Sequence, residues 1–499
     1  MQEYSVNDYF RPNKKYVKYL NQYHEAIDND DEEQEEKFRD KLAEMIGIIY
    51  TTKTKKIEGQ EVEIPFTDFD SCQFVDFLHQ SFKVISLSDN IAMYNYKEHH
   101  YDFLSASVYL SFFKEILDEI DIRVWGMQRE KEYEKRFIRC IPKRFGNWQI
   151  PEGKIVFTNG ILDIDTDVFF EGDNPDIINF HCVGYEYLVG ATEIECPKFM
   201  KFLNSIFDEQ ALIDVVQEKF GATLLYGKNP IQKIFLQYGL GRNGKGIIDS
   251  ILVAMHGKDS VSTASVAQLS SQWGGAMIFD KVLNISTENN MNFVVDTSLL
   301  KSVSGNDFIT IEEKYEKAFQ ARVSCKLIIS TNEIVFKDRS RGFEERLLPI
   351  PFEYTFVDNP KGPKERKKNP NLEAELMEEI PAIFLWAYEG LKRLRAHNWQ
   401  FTHSDKVDKL REEILREANP VEMFFDERIQ VTEGGKIKKT DVYNSFENWA
   451  FKKRINVGGI ISAQKFYAEF DRQMESKGLS SATKTIHGSQ YYKDISYIS

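Results

Sequence analysis

Four glycines and a lysine fall within residues 239–246, GLGRNGKG, and that composition suits one chemistry. Glycines let a backbone curl until its N–H groups converge on phosphate oxygens, and a lysine adds a mobile ammonium. The loop lies between two readable elements. Ile234, Phe235 and Leu236 form a short apolar run, the mark of a buried strand. Ile247, Ile248, Ile251, Leu252 and Met255 then recur at helical spacing until Gly257. Strand, loop and helix place Gly239, Gly241, Arg242, Asn243, Gly244, Lys245, Gly246 and Ile247 around the positive end of a helix dipole. A nucleotide phosphate is the expected ligand. A serine or threonine normally follows the lysine and holds Mg²⁺, but here that position is Gly246. The metal must rely on water, the nucleotide and a carboxylate elsewhere, with Asp249 and Ser250 as weak candidates.

Nucleotide hydrolysis also needs an acid and a polar sensor on neighbouring strands. Val282 to Ser286 reads as a buried strand with Glu288 just beyond it, where a carboxylate activates water and lies near Mg²⁺. A third strand, CKLIIS, runs into Thr331, Asn332 and Glu333, and Asn332 is expected to orient the water beside the γ-phosphate.

Composition sets the frame for these strands. A chain of 499 residues exceeds a single hydrophobic core and implies several domains. Apolar residues make up 42% and no uninterrupted apolar run is long enough to span a bilayer, so a membrane protein is disfavoured. Nothing in MQEYSVNDYF marks secretion, and five cysteines without CxxC spacing argue against disulfides and zinc alike; a cytoplasmic setting is expected. The net charge of −14 argues against a surface that coats nucleic acid throughout, leaving local basic patches.

One such patch spans residues 123–148, where eight basic residues are interleaved with Trp125, Tyr133, Phe137, Phe145 and Trp148. It reads either as a single-strand binding surface or as a solvated helix with a buried aromatic stripe. Seven carboxylates within residues 28–36 read as a solvated face. A hairpin is expected around Asn159 and Gly160, and Phe199, Phe202, Leu203 and Ile206 mark a helix. Residues 359–371, basic and proline-bearing, read as an exposed connection, and Pro381 should kink or divide a helix over 372–394. In the last eighty residues Thr440 and Ser462 are expected to cap two helices, followed by a hairpin turning at His487 to Ser489. Helix, helix, hairpin suggests a winged helix with basic Lys436, Lys438, Lys439, Lys452, Lys453 and Arg454 on one face.

The series GLGRNGKG, VLNISTEN, SVSGNDFITIEEKYEKAF, LIISTNE and ERLLPIPF resembles the superfamily 3 helicases of phages, plasmids and large DNA viruses, in particular the phage/plasmid primase-helicase family. IVFTNGILDID and ECPKFMKFL resemble that family's pre-helicase region, and IFLWAYEGLKRL with ANPVEMFF its post-ATPase region. The resemblance implies an α/β fold with an AAA+ type P-loop ATPase core, a mixed α/β N-terminal region, a helical collar and a C-terminal winged-helix domain. The expected divisions are an N-terminal domain over 1–148, a pre-helicase domain and collar over 149–225, the ATPase core over 226–357, a helical region over 358–418 and the winged helix over 419–499.

By the same resemblance Lys245 matches the phosphate lysine, Glu288 the catalytic acid and metal-side carboxylate, and Asn332 the sensor. Arg346 matches a finger that a neighbouring subunit inserts, with Arg339 and Arg341 as substitutes because Glu345 stands where a second arginine is usual. Val335 replaces a usual proline. Residues 304–319 match a channel hairpin, with Asp307 as its acidic residue and Lys314 and Lys317 facing the DNA backbone. The implied protein is an ATP- and Mg²⁺-dependent homo-oligomer, a hexameric ring translocating 3′ to 5′ on single-stranded and forked DNA, with residues 1–148 binding DNA or docking a separate primase. No primase centre is recognisable there. An origin-binding initiator switch and a nucleotide-gated sensor or scaffold are the alternative readings.

Overall fold

The computed structural model describes residues 4–57, 60–87, 90–144, 150–191, 195–288, 297–314, 317–332, 341–417, 419–453, 462–486 and 488–498. The chain divides into two compact units, residues 1–191 and 192–499, a boundary inside the span 149–225 that the sequence reading took as one region. The fold is mixed α/β, and its largest sheet is parallel.

The first unit is built around an aromatic core in which Tyr9, Tyr16, Phe74, Phe113, Tyr133 and Phe137 are almost fully buried. Tyr133 and Phe137 lie on the helix Met127–Cys140, so the stripe read from residues 123–148 faces the core. That excludes both rings from base stacking. Arg123 is held by Asp121 at 2.6 Å and 2.8 Å, and Arg136 by Glu132. Phe145 and Trp148 lie outside the described residues. The carboxylate cluster opens the helix Glu32–Met45, whose N-cap is Asp31, where negative charge suits the helix dipole. The Asn159-Gly160 turn joins strands Lys154–Phe157 and Gly160–Asp163, and Val168–Glu171 extends them into a three-stranded antiparallel sheet.

The second unit centres on five parallel strands in the order Val261–Ser262, Leu283–Glu288, Lys326–Thr331, Ile234–Tyr238 and Leu347–Pro351. The strand Lys326–Thr331 is buried along its whole length, as a central parallel strand covered on both faces must be. Beside the sheet, the helices Gln210–Thr223 and Ile380–Ala396 cross at glycines. A methyl at Gly221 would lie 2.3 Å from the Leu391 nitrogen, and one at Gly390 would lie 2.3 Å from the Gln217 carbonyl oxygen. Buried Glu218 secures this crossing, accepting from Arg393 at 2.7 Å and from the Thr402 backbone at 2.7 Å. Pro381 divides the expected helix: Leu372–Met377 ends before it, and Ile380–Ala396 starts on it.

The stretch 359–371 is more ordered than an exposed connection. Its residues Glu365–Lys367 pair in parallel with the strand Thr355–Val357. At the C-terminal end, Pro420–Arg428, Lys439–Lys452 and Ala463–Ser476 are helices around a sheet of Ile429–Lys438, Ser489–Tyr497 and Lys484–Ile486 in that order. Ser462 caps its helix as expected, but Thr440 lies inside the helix it was expected to cap, which begins at Lys439. His487 and Arg454 are outside the described residues. Among the described residues no helix is long and apolar enough to cross a membrane.

Candidate functional site

Parallel pairing brings the chemistry-bearing residues to one level. Thr331 is the register partner of both Tyr238 and Glu288, so the glycine loop after Tyr238, Asn332 after Thr331, and Glu288 all stand at the carboxyl ends of adjacent strands. Ligands of open α/β sheets bind at that edge. The loop reaches it under backbone restraint: the Gly239 N–H donates to the Thr331 carbonyl at 3.2 Å. Gly244 then opens the helix Lys245–His256 in a left-handed conformation, φ +94°, that a side chain would strain, and with a would-be Cβ only 3.2 Å from Phe202.

Lys245 is 8% exposed. Its ammonium donates to the Gly239 carbonyl oxygen, to the Thr331 carbonyl at 3.4 Å and to Asn332 Oδ1 at 3.2 Å. Burial pulls its pKa down to about 8, against the attraction of Asp249. The lysine and the expected sensor are thus in contact across two strands. Asn243 braces the turn, accepting from the Lys245 N–H at 3.4 Å and donating to the Phe352 carbonyl at 3.4 Å. Arg242 is exposed, and its carbonyl accepts from the Phe356 N–H at 2.7 Å. The backbone of Glu288 ends its strand at the same edge.

Beneath the loop lies a polar cluster that sequence reasoning missed. Lys219, fully buried, donates to Gln237 Oε1 at 2.9 Å; Gln237 Nε2 donates to Asp249 Oδ1 at 2.5 Å and to Ser330 Oγ at 2.8 Å. Ser330 Oγ donates to Asp249 Oδ2 at 2.9 Å. Four elements are tied: the helix Gln210–Thr223, the loop strand, the loop helix and the Asn332 strand. Burial pushes the Asp249 carboxyl up, opposed by Lys219 and by hydrogen bonds from Ser330 and Gln237, while burial brings Lys219 down to about 8. Asp249 is therefore engaged within the protein, which removes it as a ready metal ligand. The available signal was Gln237, a polar residue closing the apolar run of a buried strand.

Arg346 lies at the other edge. Leu347 pairs with Ile234, where both strands begin, and four residues of rise separate that level from Tyr238 and Pro351, about 13 Å. Its guanidinium donates to the Gly342 carbonyl, and its own carbonyl accepts from the Ile234 N–H at 2.7 Å. The structure does not bring Arg346 to the Lys245 site of the same chain. Arg339 and Val335, with Glu333, lie outside the described residues.

A hairpin overlaps the expected span 304–319 but runs three residues past it: Phe308–Ile311 pairs antiparallel with Phe319–Arg322. Exposed Lys314 and Lys317 fall in the connection between the strands, and Arg322 covers the Phe308 ring at 4.7 Å.

The model of a family described as a family of unknown function, DUF5906, matches residues 237–346, the span from the loop strand to Arg346. Among solved structures, the apo structure of the NrS-1 C terminal region (305-718) aligns with a TM-score of 0.48 at 13% identity, covering 84% of this chain and 97% of that one. An A form apo structure of the same region aligns at 0.44 and 13%, covering 81% and 94%.

Proposed function

We propose that this chain is an ATP-driven DNA helicase that works as a ring, most simply a hexamer, moving 3′ to 5′ in the replication of a phage or mobile element. The observation that carries the reading is the shared level of Tyr238, Thr331 and Glu288, with Lys245 already hydrogen-bonded to Asn332. In this reading residues Gly239, Gly241, Arg242, Asn243, Gly244, Lys245, Gly246 and Ile247 hold the triphosphate, Glu288 accepts a proton from the attacking water and Asn332 orients it.

Mg²⁺ would neutralise charge on the phosphates. With no hydroxyl at Gly246 and Asp249 committed to Gln237 and Ser330, Glu288, phosphate oxygens and water remain to hold it. Arg346, remote from its own loop, fits a finger supplied to a neighbouring subunit, where it stabilises developing charge. The core is then of AAA+ type, and residues 419–499, with helices packed on a three-stranded sheet, fit a winged helix. Residues 1–148 are left to bind DNA or dock a separate primase.

The test is unwinding of a forked duplex together with DNA-stimulated ATP turnover, on wild type and on the Lys314→Ala/Lys317→Ala double variant. Wild type should unwind; the variant should keep basal turnover and lose both stimulation and unwinding. Its DNA-binding salt slope should flatten by about one unit of log-log slope per lost phosphate contact. Full unwinding by the variant refutes the hairpin's role. A wild-type protein that hydrolyses ATP without responding to DNA is a switch or sensor and not a motor.

A further inference from the structure

Of the lysines expected to share one basic face near the C-terminal end, the fold turns two away. Lys439 leans inward, 3.9 Å from Asp471 and over the Tyr467 and Tyr492 rings at 4.8 Å and 5.3 Å. Lys453 pairs with Glu427 at 3.1 Å. Lys436 and Lys438 are left, and the three-stranded sheet brings two more lysines beside them. Ile437 and Tyr492 are register partners buried in the core of this region. Strand residues alternate between faces, so the positions flanking that pair belong to the outer face.

On that face Lys436 stands directly across from Lys493, and Lys438, Tyr491 and Lys484 form a second row over all three strands. Lys436, Lys484 and Lys493 are exposed, and among the described residues none of the four lysines has an ion-pair partner. Like charges directly opposite destabilise a sheet, so the free protein carries Lys436 against Lys493 at a cost. The carboxylates these strands carry are Glu433, in the bulge between Val431 and Lys436, and Asp494, which accepts from the Gly434 N–H at 2.9 Å. The helix Ala463–Ser476, which a winged helix would lay in the major groove of a duplex, is the less basic surface. Its Lys465 and Arg472 are outnumbered by Glu469, Asp471 and Glu475, and Glu469 holds Arg472 at 3.2 Å.

We propose that the outer face of this sheet is a binding site for single-stranded nucleic acid, with phosphates on Lys436, Lys438, Lys484 and Lys493 and a base stacked on Tyr491. The ring is what selects a single strand. Tyr491 has a lysine across from it on each side, so a strand whose phosphates meet those lysines passes over the ring, and an unpaired base offers it a face. A duplex keeps its bases stacked on one another and meets only the charges. The site goes beyond the motor reading and does not depend on it: the lysines and the ring are fixed by the sheet and hold a strand in any nucleotide state.

Fluorescence anisotropy of labelled oligothymidylate, and of a duplex of equal length, tests this on the full chain without nucleotide, in the Lys314→Ala/Lys317→Ala background so that the hairpin does not contribute. The single strand should bind at least about tenfold more tightly than the duplex. Tyr491→Leu should weaken the single strand by about tenfold, the loss of one base–ring contact, and Tyr491→Phe should keep most of the affinity. Lys436→Gln/Lys493→Gln should flatten the salt dependence by about 1.4 units of log-log slope, about 0.7 for each lost phosphate contact. The same pair should raise the thermal midpoint, because the opposed charges are gone; a midpoint that falls together with affinity makes these lysines structural and overturns their role. Tighter binding of the duplex, or a Tyr491→Leu protein equal to its parent, overturns the site. So does equal competition by polyglutamate, which would make the face a dock for an acidic protein. The motor reading fails separately: a wild-type chain that unwinds no forks yet binds the single strand through Tyr491 leaves this site standing.

Discussion

The two edges of the parallel sheet each bury a lysine, and they do so in opposite ways. Near the carboxyl edge Lys219 answers to a carboxylate: its ammonium reaches Gln237, which passes the contact to Asp249. At the amino edge Lys326 donates to neutral oxygens, the carbonyls of Leu225, Lys228 and Ser324 at 2.7–2.9 Å, and burial brings its pKa down to about 7. The first arrangement links four elements around the loop, so a shift of the Asn332 strand is felt at the loop helix and at Lys219. The second staples one strand start to the chain that precedes the sheet. Side-chain linkage between elements is therefore concentrated at the carboxyl edge, while at the amino edge the partly exposed Arg346 is held by the Gly342 carbonyl.

The sharpest way to break this contrast is to ask where Arg346 acts. Arg346→Ala should cost about a thousandfold or more in ATP turnover if it is a finger. Mixing that protein with Lys245→Ala, which should itself be inactive, should restore part of the activity, because some interfaces then join an intact lysine to an intact arginine. Mixed rings without recovery would return Arg346 to its own subunit and erase the division between the edges.

A smaller effect separates the two buried lysines. Lys219→Met removes the stronger of the two cations that favour the buried Asp249 carboxylate, leaving Lys245, and should lower the unfolding free energy in urea by about 3 kcal/mol. Adding Asp249→Asn should recover part of that loss. The same addition should do nothing for Lys326→Met, whose orphaned partners are carbonyls.

The smallest effect is a slope in pH. With burial holding Lys245 near 8 in the nucleotide-free protein, the lysine is charged below that value and loses its proton above it. Bound phosphate favours the charged form, so nucleotide binding must take up a proton at higher pH. Affinity should be flat from about pH 6.5 to about pH 7.5 and fall above about pH 8, by at most about tenfold per unit. Lys245→Arg, which stays charged, should flatten the curve wherever it still binds.

The carboxyl edge was largely legible in the sequence because local patterns define it. A buried strand followed at once by GLGRNGKG, by Glu288 or by Asn332 places each residue at a strand end, and parallel pairing then puts the three strand ends level. The Phe308 hairpin, the Gly160 turn and the Ser462 cap were readable for the same local reason. What stayed hidden depends on contacts distant in sequence. Lys219 looks like a surface residue of a helix until the helix packs beside the sheet. Tyr133 and Phe137 carry the same ring chemistry whether they stack on bases or fill a core, and only burial distinguishes the two. The strand Glu365–Lys367 was concealed by its own composition, since prolines and lysines signal exposure and its partner lies ten residues away.

The crossing of Gly221 and Gly390 also limits how this protein can diverge. A Cβ at Gly221 would meet backbone of the opposite helix, including the Gly390 carbonyl carbon at 2.8 Å, and one at Gly390 would meet the Gln217 backbone, so no side-chain change at one glycine makes room for a substitution at the other. Enlarging either residue pushes apart two helices that Glu218 and Arg393 hold together. In a saturation-mutagenesis map of the second unit, these two positions should stand out as columns that admit a single letter, with no pairwise rescue between them, while exposed positions such as Gln210, Glu389 and Lys392 drift freely.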